Sequence, residues 1–216
     1  MLDMSLRFSA PSRRLRRKAE VRNKIYEAAI SLFRLHGYES TTIQDICDSA
    51  DTAKQTFFNY FQTKEHVLAE YHNELIRGIC EQISQLSYSS QTQAVLSAMR
   101  IFAIEAEKAG SLARAILRHV FSSDVLGIAD QKNERKIFSW FHTRLREAIQ
   151  SREFLSGLDP RLLTAVVMSV LSSTAQEWFV SPESFDLEKE LVRRTRLLLR
   201  LATRKAGPTK SKKEKR

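Results

Sequence analysis

Two cysteines, four prolines and six glycines are spread over 216 residues, and each scarcity removes a class of structure. Cys47 and Cys80 supply no disulfide framework, and neither stands in a CxxC or other metal-ligand spacing. With few residues that stop helices and an ordinary hydrophobic content of 43%, the composition points to an all-α chain. Long apolar runs are missing too. The longest strongly apolar stretch, LLTAVVMSVL from Leu162 to Leu171, is far short of the ~20 residues a membrane span requires. The first residues, MLDMSLRFSAPSRRLRR, carry charge without the apolar segment of a signal peptide. A cytoplasmic protein with no membrane partner is expected. Catalytic signatures are absent as well: there is no Gly-rich phosphate loop, no HExxH and no G-x-S-x-G turn. None of His36, His66, His72, His119 and His142 has Glu three residues before it, as a helical carboxylate-metal site would need. No catalytic residue, metal or cofactor is expected.

What is present begins with the placement of charge. The net charge is +10, yet residues 7–24 carry +7 and residues 204–216 carry +6, so the rest of the chain sums to −3. Cationic ends around a near-neutral body suit an anionic polymer or an anionic membrane, and a solubilising tail is the other reading of residues 204–216.

Helical periodicity fills most of the remainder. Val21, Ile25, Ala28, Ala29, Leu32 and Phe33 recur at three-to-four residue spacing after Pro11 and Ser12, and Gly37 closes that helix. Thr42 opens a second, with Ile43, Ile46, Cys47 and Ala50 on one face and Asp45 in the capping-box position. After a break at Asp51 and Thr52, a short third face follows in Ala53, Thr56, Phe57 and Phe61. Thr63 starts a helix through Leu68, Leu75 and Ile79, and further helical patterns run over about 92–108, 111–122, 131–153, 160–179 and 186–205. Gly110, Gly127, Gly157 and Pro182 are taken as breaks between them, and the chain beyond Gly207 as disordered.

Residues 41–65, TTIQDICDSADTAKQTFFNYFQTKE, answer to a helix-turn-helix, whose second helix enters the DNA major groove. So short a helix buries little alone, so Phe57 and Phe61 are expected to fasten it to the long first helix and leave its other face outward. On that face Lys54, Gln55 and Thr56, with Gln44 from the preceding helix, are the expected base contacts: Lys for guanine acceptors, Gln for adenine, a Thr methyl for thymine. Thr42, Tyr60 and Lys64 are expected on phosphates, with Arg13, Arg16 and Arg17 extending the grip. An ordinary helical hairpin with an aromatic core is the structural alternative.

Residues 25–68, IYEAAISLFRLHGYESTTIQDICDSA followed by a turn and TFFNYFQTKEHVL, resemble the N-terminal domain of the TetR family of bacterial transcriptional repressors, with Thr42, Ile46, Ala50, Phe58, Tyr60, Phe61, Lys64 and Leu68 as the signature. The chain departs from the pattern at Asp51, Thr52 and Ala53, where the family usually has Gly, a small apolar residue and often Ser, and at Phe58, usually Tyr. Asp tolerates the left-handed backbone that glycine would take, and Asp51 or Thr52 is expected to cap the short helix.

The resemblance implies a helix-turn-helix domain over residues 12–62, a larger helical ligand-binding and dimerisation domain over 63–205, and a disordered basic tail over 206–216. It also implies a homodimeric repressor that binds a palindromic operator on double-stranded DNA and is released by a small-molecule inducer. In the last two helices apolar residues cover more than one face, which independently suits a four-helix dimer interface built from Val166, Val167, Val170, Leu171, Trp178, Leu191 and Leu198. A monomer burying both helices internally is the alternative. Phe102, Phe121, Trp140 and Phe141, with Glu105 and His119 as polar groups, are the candidate ligand contacts, against the reading that such aromatics are plain core. Two rivals remain at this stage: a nonspecific nucleic-acid-binding protein using only its basic ends, and a small all-helical enzyme.

Overall fold

The computed structural model describes residues 13–180 and 185–203, and among them the chain forms nine α-helices. These are α1 (Arg13–His36), α2 (Ile43–Ser49), α3 (Lys54–Phe58), α4 (Lys64–Ser84), α5 (Gln91–Ala109), α6 (Ser111–His119), α7 (Asp124–Gln150), α8 (Pro160–Val180) and α9 (Leu187–Ala202). The expected breaks at Pro182 and beyond Gly207 lie outside the described residues.

Capping chemistry sets most of the ends. Gly37, at φ +86, closes α1 with its N–H bonded 3.1 Å from Phe33 O, a left-handed position that costs glycine little. Thr42 caps α2 with the expected box: its Oγ1 accepts from Asp45 N, and Asp45 Oδ2 accepts from Thr42 N at 2.8 Å. Asp159 Oδ1 accepts from Arg161 N at 2.8 Å ahead of α8, and Asp186 does the same for Lys189 N in α9. Glu153 takes the backbone N–H groups of Gln91 and Thr92 at the start of α5, a cap donated from far along the chain.

Two expectations fail here. Helix α7 starts seven residues before 131, capped by Ser123, and Gly127 lies in its first turn instead of breaking it. A Cβ on Gly127 would stand 3.3 Å from Val120 O, so a glycine there lets α7 begin tight against the end of α6. The second failure is at α3: Ala53 occupies the N-cap and no side chain bonds the helix start, so neither Asp51 nor Thr52 caps it. Asp51 does hold the left-handed conformation, at φ 47.

The fold divides into two compact units at Tyr71/His72, inside α4. In the first, α2 packs against both α1 and α3. Ile25, Ala29 and Phe33 of α1, Ile46 and Cys47 of α2, and Phe57 and Phe61 around α3 are all buried. In the second, α5 packs on α7 and α9, α8 on α7 and α9, and α6 against α5, α7 and α8. Its centre holds Met99, Leu112, Leu126, Phe141, Leu145 and Val167. Among the described residues no helix is long and apolar enough to cross a membrane.

Candidate nucleic-acid interface

Helix α3 is five residues long, too short to hold its shape by backbone bonds alone. Phe57 anchors it at 0% exposure, with its ring 5.9 Å from that of Phe61, itself buried. Burying Phe57 stabilises the unit by roughly 1.5–3 kcal/mol. The Arg22 guanidinium lies 4.8 Å over the Phe61 ring and bonds Glu70 through Nη1 at 2.7 Å, so the ring that closes α3 is itself clamped.

With its inner face fixed, α3 turns Lys54 and Gln55 outward; both are exposed, and Thr56 beside them is half-buried. Gln44 of α2 is exposed as well, its Nε2 donating to Asp48 Oδ1 at 2.7 Å. Phe58 follows Lys54 by one turn, is 46% exposed and packs edge-on against Phe57. In the sequence Phe58 stands out only as a signature position where the family usually has Tyr. Its position adds an apolar surface of the kind that meets a thymine methyl, and the signal was available in its i+4 spacing from Lys54.

The phosphate contacts divide. Arg13, Arg16 and Arg17 are exposed on the first turns of α1, and Tyr60 is half-buried beyond α3. Lys64 is a correction. Its ammonium donates to three backbone carbonyls, Tyr38 O at 2.8 Å, Thr41 O at 3.1 Å and Glu39 O at 3.3 Å, and lies 4.4 Å from the centre of the Tyr38 ring. An ammonium has three protons, so none is left for a phosphate. Lys64 closes the link between α1 and α2, and burial with the nearby Glu65 and Glu39 pushes the Tyr38 hydroxyl far above its usual range. Thr42 is corrected on the same ground: its hydroxyl donates to Asp45 Oδ2 at 2.7 Å and its backbone N–H goes to that oxygen too, so a phosphate would have to break the capping box.

Residues 25–71 match the family model described as bacterial regulatory proteins, tetR family. The chain is 25% identical over 167 residues to the fatty acid metabolism regulator protein of Bacillus subtilis (strain 168), covering 76% of this chain and 86% of that protein. Its N-terminal domain is a TetR-family domain. The HTH-type transcriptional regulator TcmR of Streptomyces glaucescens is 25% identical over 189 residues, 83% of this chain and 82% of TcmR. In fold the chain is similar to Thermus thermophilus FadR, a TetR-family transcriptional repressor solved with lauroyl-CoA: the TM-score is 0.70 at 22% identity, covering 88% of this chain and 99% of that one. With that domain, the chain is a DNA-binding transcriptional regulator.

The regulator's second unit holds a cavity of about 180 Å³. Of the candidate ligand residues, Phe102 lines it and the others do not. Phe121 is 83% exposed at the end of α6. Phe141 is fully buried behind Phe102, ring centres 6.3 Å apart, with Trp140 edge-on at 5.1 Å from Phe141. Glu105 pairs with Lys108 at 2.8 Å, a hydrogen bond that holds its carboxyl below the usual range, and half-buried His119 ends α6. The side chains in the wall that carry polar groups are His72, Asp130, Ser172 and, through its indole N–H, Trp178. In the sequence His72, at helical spacing from Leu75, Ile76 and Ile79, carries no signal that separates it from a core position, and Asp130 lies just past Gly127, where the composition suggests a break between helices.

The expected dimer residues also divide. Val167, Trp178 and Leu191 are buried inside the unit and are not available to a second copy, a correction that follows from α8 and α9 packing on each other and on α7 and α5. Val170, Leu171 and Leu198 are half-buried, and Val166 is exposed. The outward face instead carries Leu162 and Val166 on α8 and Leu197 and Leu201 on α9, each pair four residues apart and 39–74% exposed.

Proposed function

We propose that this TetR-family regulator is a cytoplasmic homodimeric repressor that reads a palindromic operator through α3 and leaves it when a small molecule occupies the second unit. The observation that carries the reading is the two-sidedness of α3: Phe57 fully buried on one side, Lys54 and Gln55 exposed on the other. The unit that ends at Tyr71, nine residues beyond the expected boundary at 62, serves DNA binding, and the unit from His72 onward serves ligand binding and dimerisation. Lys54, Gln55, Thr56 and Gln44 read bases, and Arg13, Arg16, Arg17 and Tyr60 hold phosphates. Catalysis has no part in the proposal.

Four exposed aliphatic side chains on the paired helices α8 and α9 support the homodimer, because a monomer would leave that apolar stripe in water. Two copies joined there present two α3 helices to half-sites one helical turn, or a multiple of it, apart. Release follows as a population shift: a ligand that binds better to a differently spaced dimer draws it off the operator. Helix α4 is the proposed lever, since it holds Leu68 of the first unit and His72 of the second. FadR of Thermus thermophilus was solved with lauroyl-CoA. A lauroyl chain has twice the carbons of benzene, which a cavity of about 150 Å³ accommodates, so a space of about 180 Å³ suits a smaller molecule here.

Selection of bound DNA from a random pool tests the reading. The expected product is a palindrome whose half-sites are spaced by whole helical turns, with a preference that survives competitor DNA. Binding that ignores sequence and fades steeply with salt would instead support a protein acting through its basic ends alone.

A further inference from the structure

A row of positive charge runs along α9. Lys189, Arg193, Arg196 and Arg200 follow one another at spacings of four, three and four residues, which places them on one face of the helix, and all four are exposed. Arg193 pairs with Glu190 at 2.7 Å, but among the described residues no carboxylate pairs with Lys189, Arg196 or Arg200. Where the row borders α5, it walls a groove that also holds Arg100, Asp186 and Glu188. Both acids there are engaged: Asp186 Oδ1 accepts from Lys189 N and Glu188 Oε1 from Arg100 Nε, each at 2.8 Å. The next residues in sequence, 204–216, add a further +6. Helix α7 offers the contrast. Its exposed Lys132, Arg135 and Lys136 stand within about a turn and a half, beside the exposed Glu134, and form no such row.

The chemistry of the row selects its partner. From Lys189 to Arg200 it rises about 17 Å, the axial reach of about five phosphates on one DNA strand. It contains no exposed apolar residue: Val192 beside it is buried, and Leu197 and Leu201 come about 100° further round the helix, in the stripe proposed for the dimer. A protein segment or a membrane would seek an apolar anchor within the row, whereas a phosphate backbone asks only for charge. Three of the four side chains are Arg, whose planar fork matches phosphate oxygens. The N-terminal domain already brings this chain to DNA, so duplex phosphates are the polyanion at hand. We infer that the outward face of α9 is a second DNA-binding surface, one that grips the phosphate backbone without reading sequence. It goes beyond the operator-reading role of α3 and does not depend on it.

Protection of side chains in the full-length protein tests the surface. Lysines are acylated and arginines modified with phenylglyoxal, with and without an excess of random-sequence duplex, and the rate at each residue is read by mass spectrometry. Lys189, Arg196 and Arg200 are expected to react about fivefold or more slowly with the duplex present, and Lys132, Arg135 and Lys136 at unchanged rates. Three to four phosphate contacts also imply that the duplex concentration for half protection rises about 40- to 150-fold between 50 and 200 mM salt. Rates on α9 untouched by the duplex, or slowed no more than those on α7, would overturn the inference. So would equal or stronger protection by poly-glutamate or by phosphatidylglycerol vesicles at matched charge, which would assign the face to an acidic protein or a membrane. Because the duplex carries no chosen operator, the outcome is separate from that of α3: failure to select an operator would remove the repressor reading and leave this surface standing.

Discussion

Replacing Lys64 by Met separates a structural lysine from a phosphate-binding one, because methionine keeps most of the aliphatic stem and loses the ammonium. That ammonium serves three carbonyls between α1 and α2 and sits over the Tyr38 ring. Hydrogen bonds to a charged group contribute about 1.5–3 kcal/mol each, but these three share one donor group and their carbonyls lie at a partly wetted loop, where water takes up part of the loss. A cation over an aromatic ring adds about 0.5–1 kcal/mol. The expected total is about 2–3 kcal/mol of local stability. Because the chain has two units, global unfolding would blur the effect, so the assay is hydrogen exchange read on peptides from residues 13–63. Exchange there should quicken by about 30- to 150-fold, while peptides from α5 to α9 stay as they were.

The same variant gives a second, independent readout. A lysine that neutralises a phosphate contributes about 0.9 to the slope of log K against log salt for duplex DNA. With the ammonium engaged by carbonyls, Lys64→Met should leave the slope unchanged and lower affinity only as far as the domain is loosened. A slope reduced by about one unit, with exchange over residues 13–63 unaltered, would refute the structural assignment and restore Lys64 to the phosphate backbone.

Phe57→Ala should cost about 3–5 kcal/mol, since the ring is wholly buried, and exchange over α1–α3 should approach that of the unfolded chain. Lys54→Ala should leave exchange unchanged and relax preference at one operator position by about 1–3 kcal/mol in a binding assay across base variants; an unaltered preference would remove Lys54 from the reading face. Leu197→Glu should weaken self-association by about 100-fold or more in sedimentation, because a symmetric interface loses the side chain twice. The hydrogen bonds from Thr42 hold the Asp45 carboxyl below its usual range, so the capping box stabilises α2 above the ordinary Asp value near 3.9 and loses that contribution as pH falls through the depressed folded one. Exchange in α2 should therefore rise on acidification, and less so in Asp45→Ala.

What the sequence disclosed and what it withheld follow the range of the interactions involved. Caps and helix faces are settled within four or five residues, so Thr42 with Asp45, Gly37, Asp159 before Pro160, and the inward Phe57 and Phe61 were all legible. Lys64 was not, because what its ammonium meets is fixed by a loop some 23 to 26 residues earlier in the chain. The helices α8 and α9 show the same limit more sharply. A helix apolar on more than one face must bury one stripe in its own subunit and can offer only the other, and periodicity marks both without ranking them. Packing against α7 and α5 claims Val167, Trp178 and Leu191 for the interior and leaves Leu162, Val166, Leu197 and Leu201 outside. The cavity follows from the same competition: Trp178, Leu187 and Leu191 turn inward and line, with Phe102, a space they do not fill. The stripe that makes α8 and α9 a core is therefore also what shapes the proposed ligand site, and a substitution such as Trp178→Leu should change ligand affinity while leaving the proposed dimerisation through the opposite stripe intact.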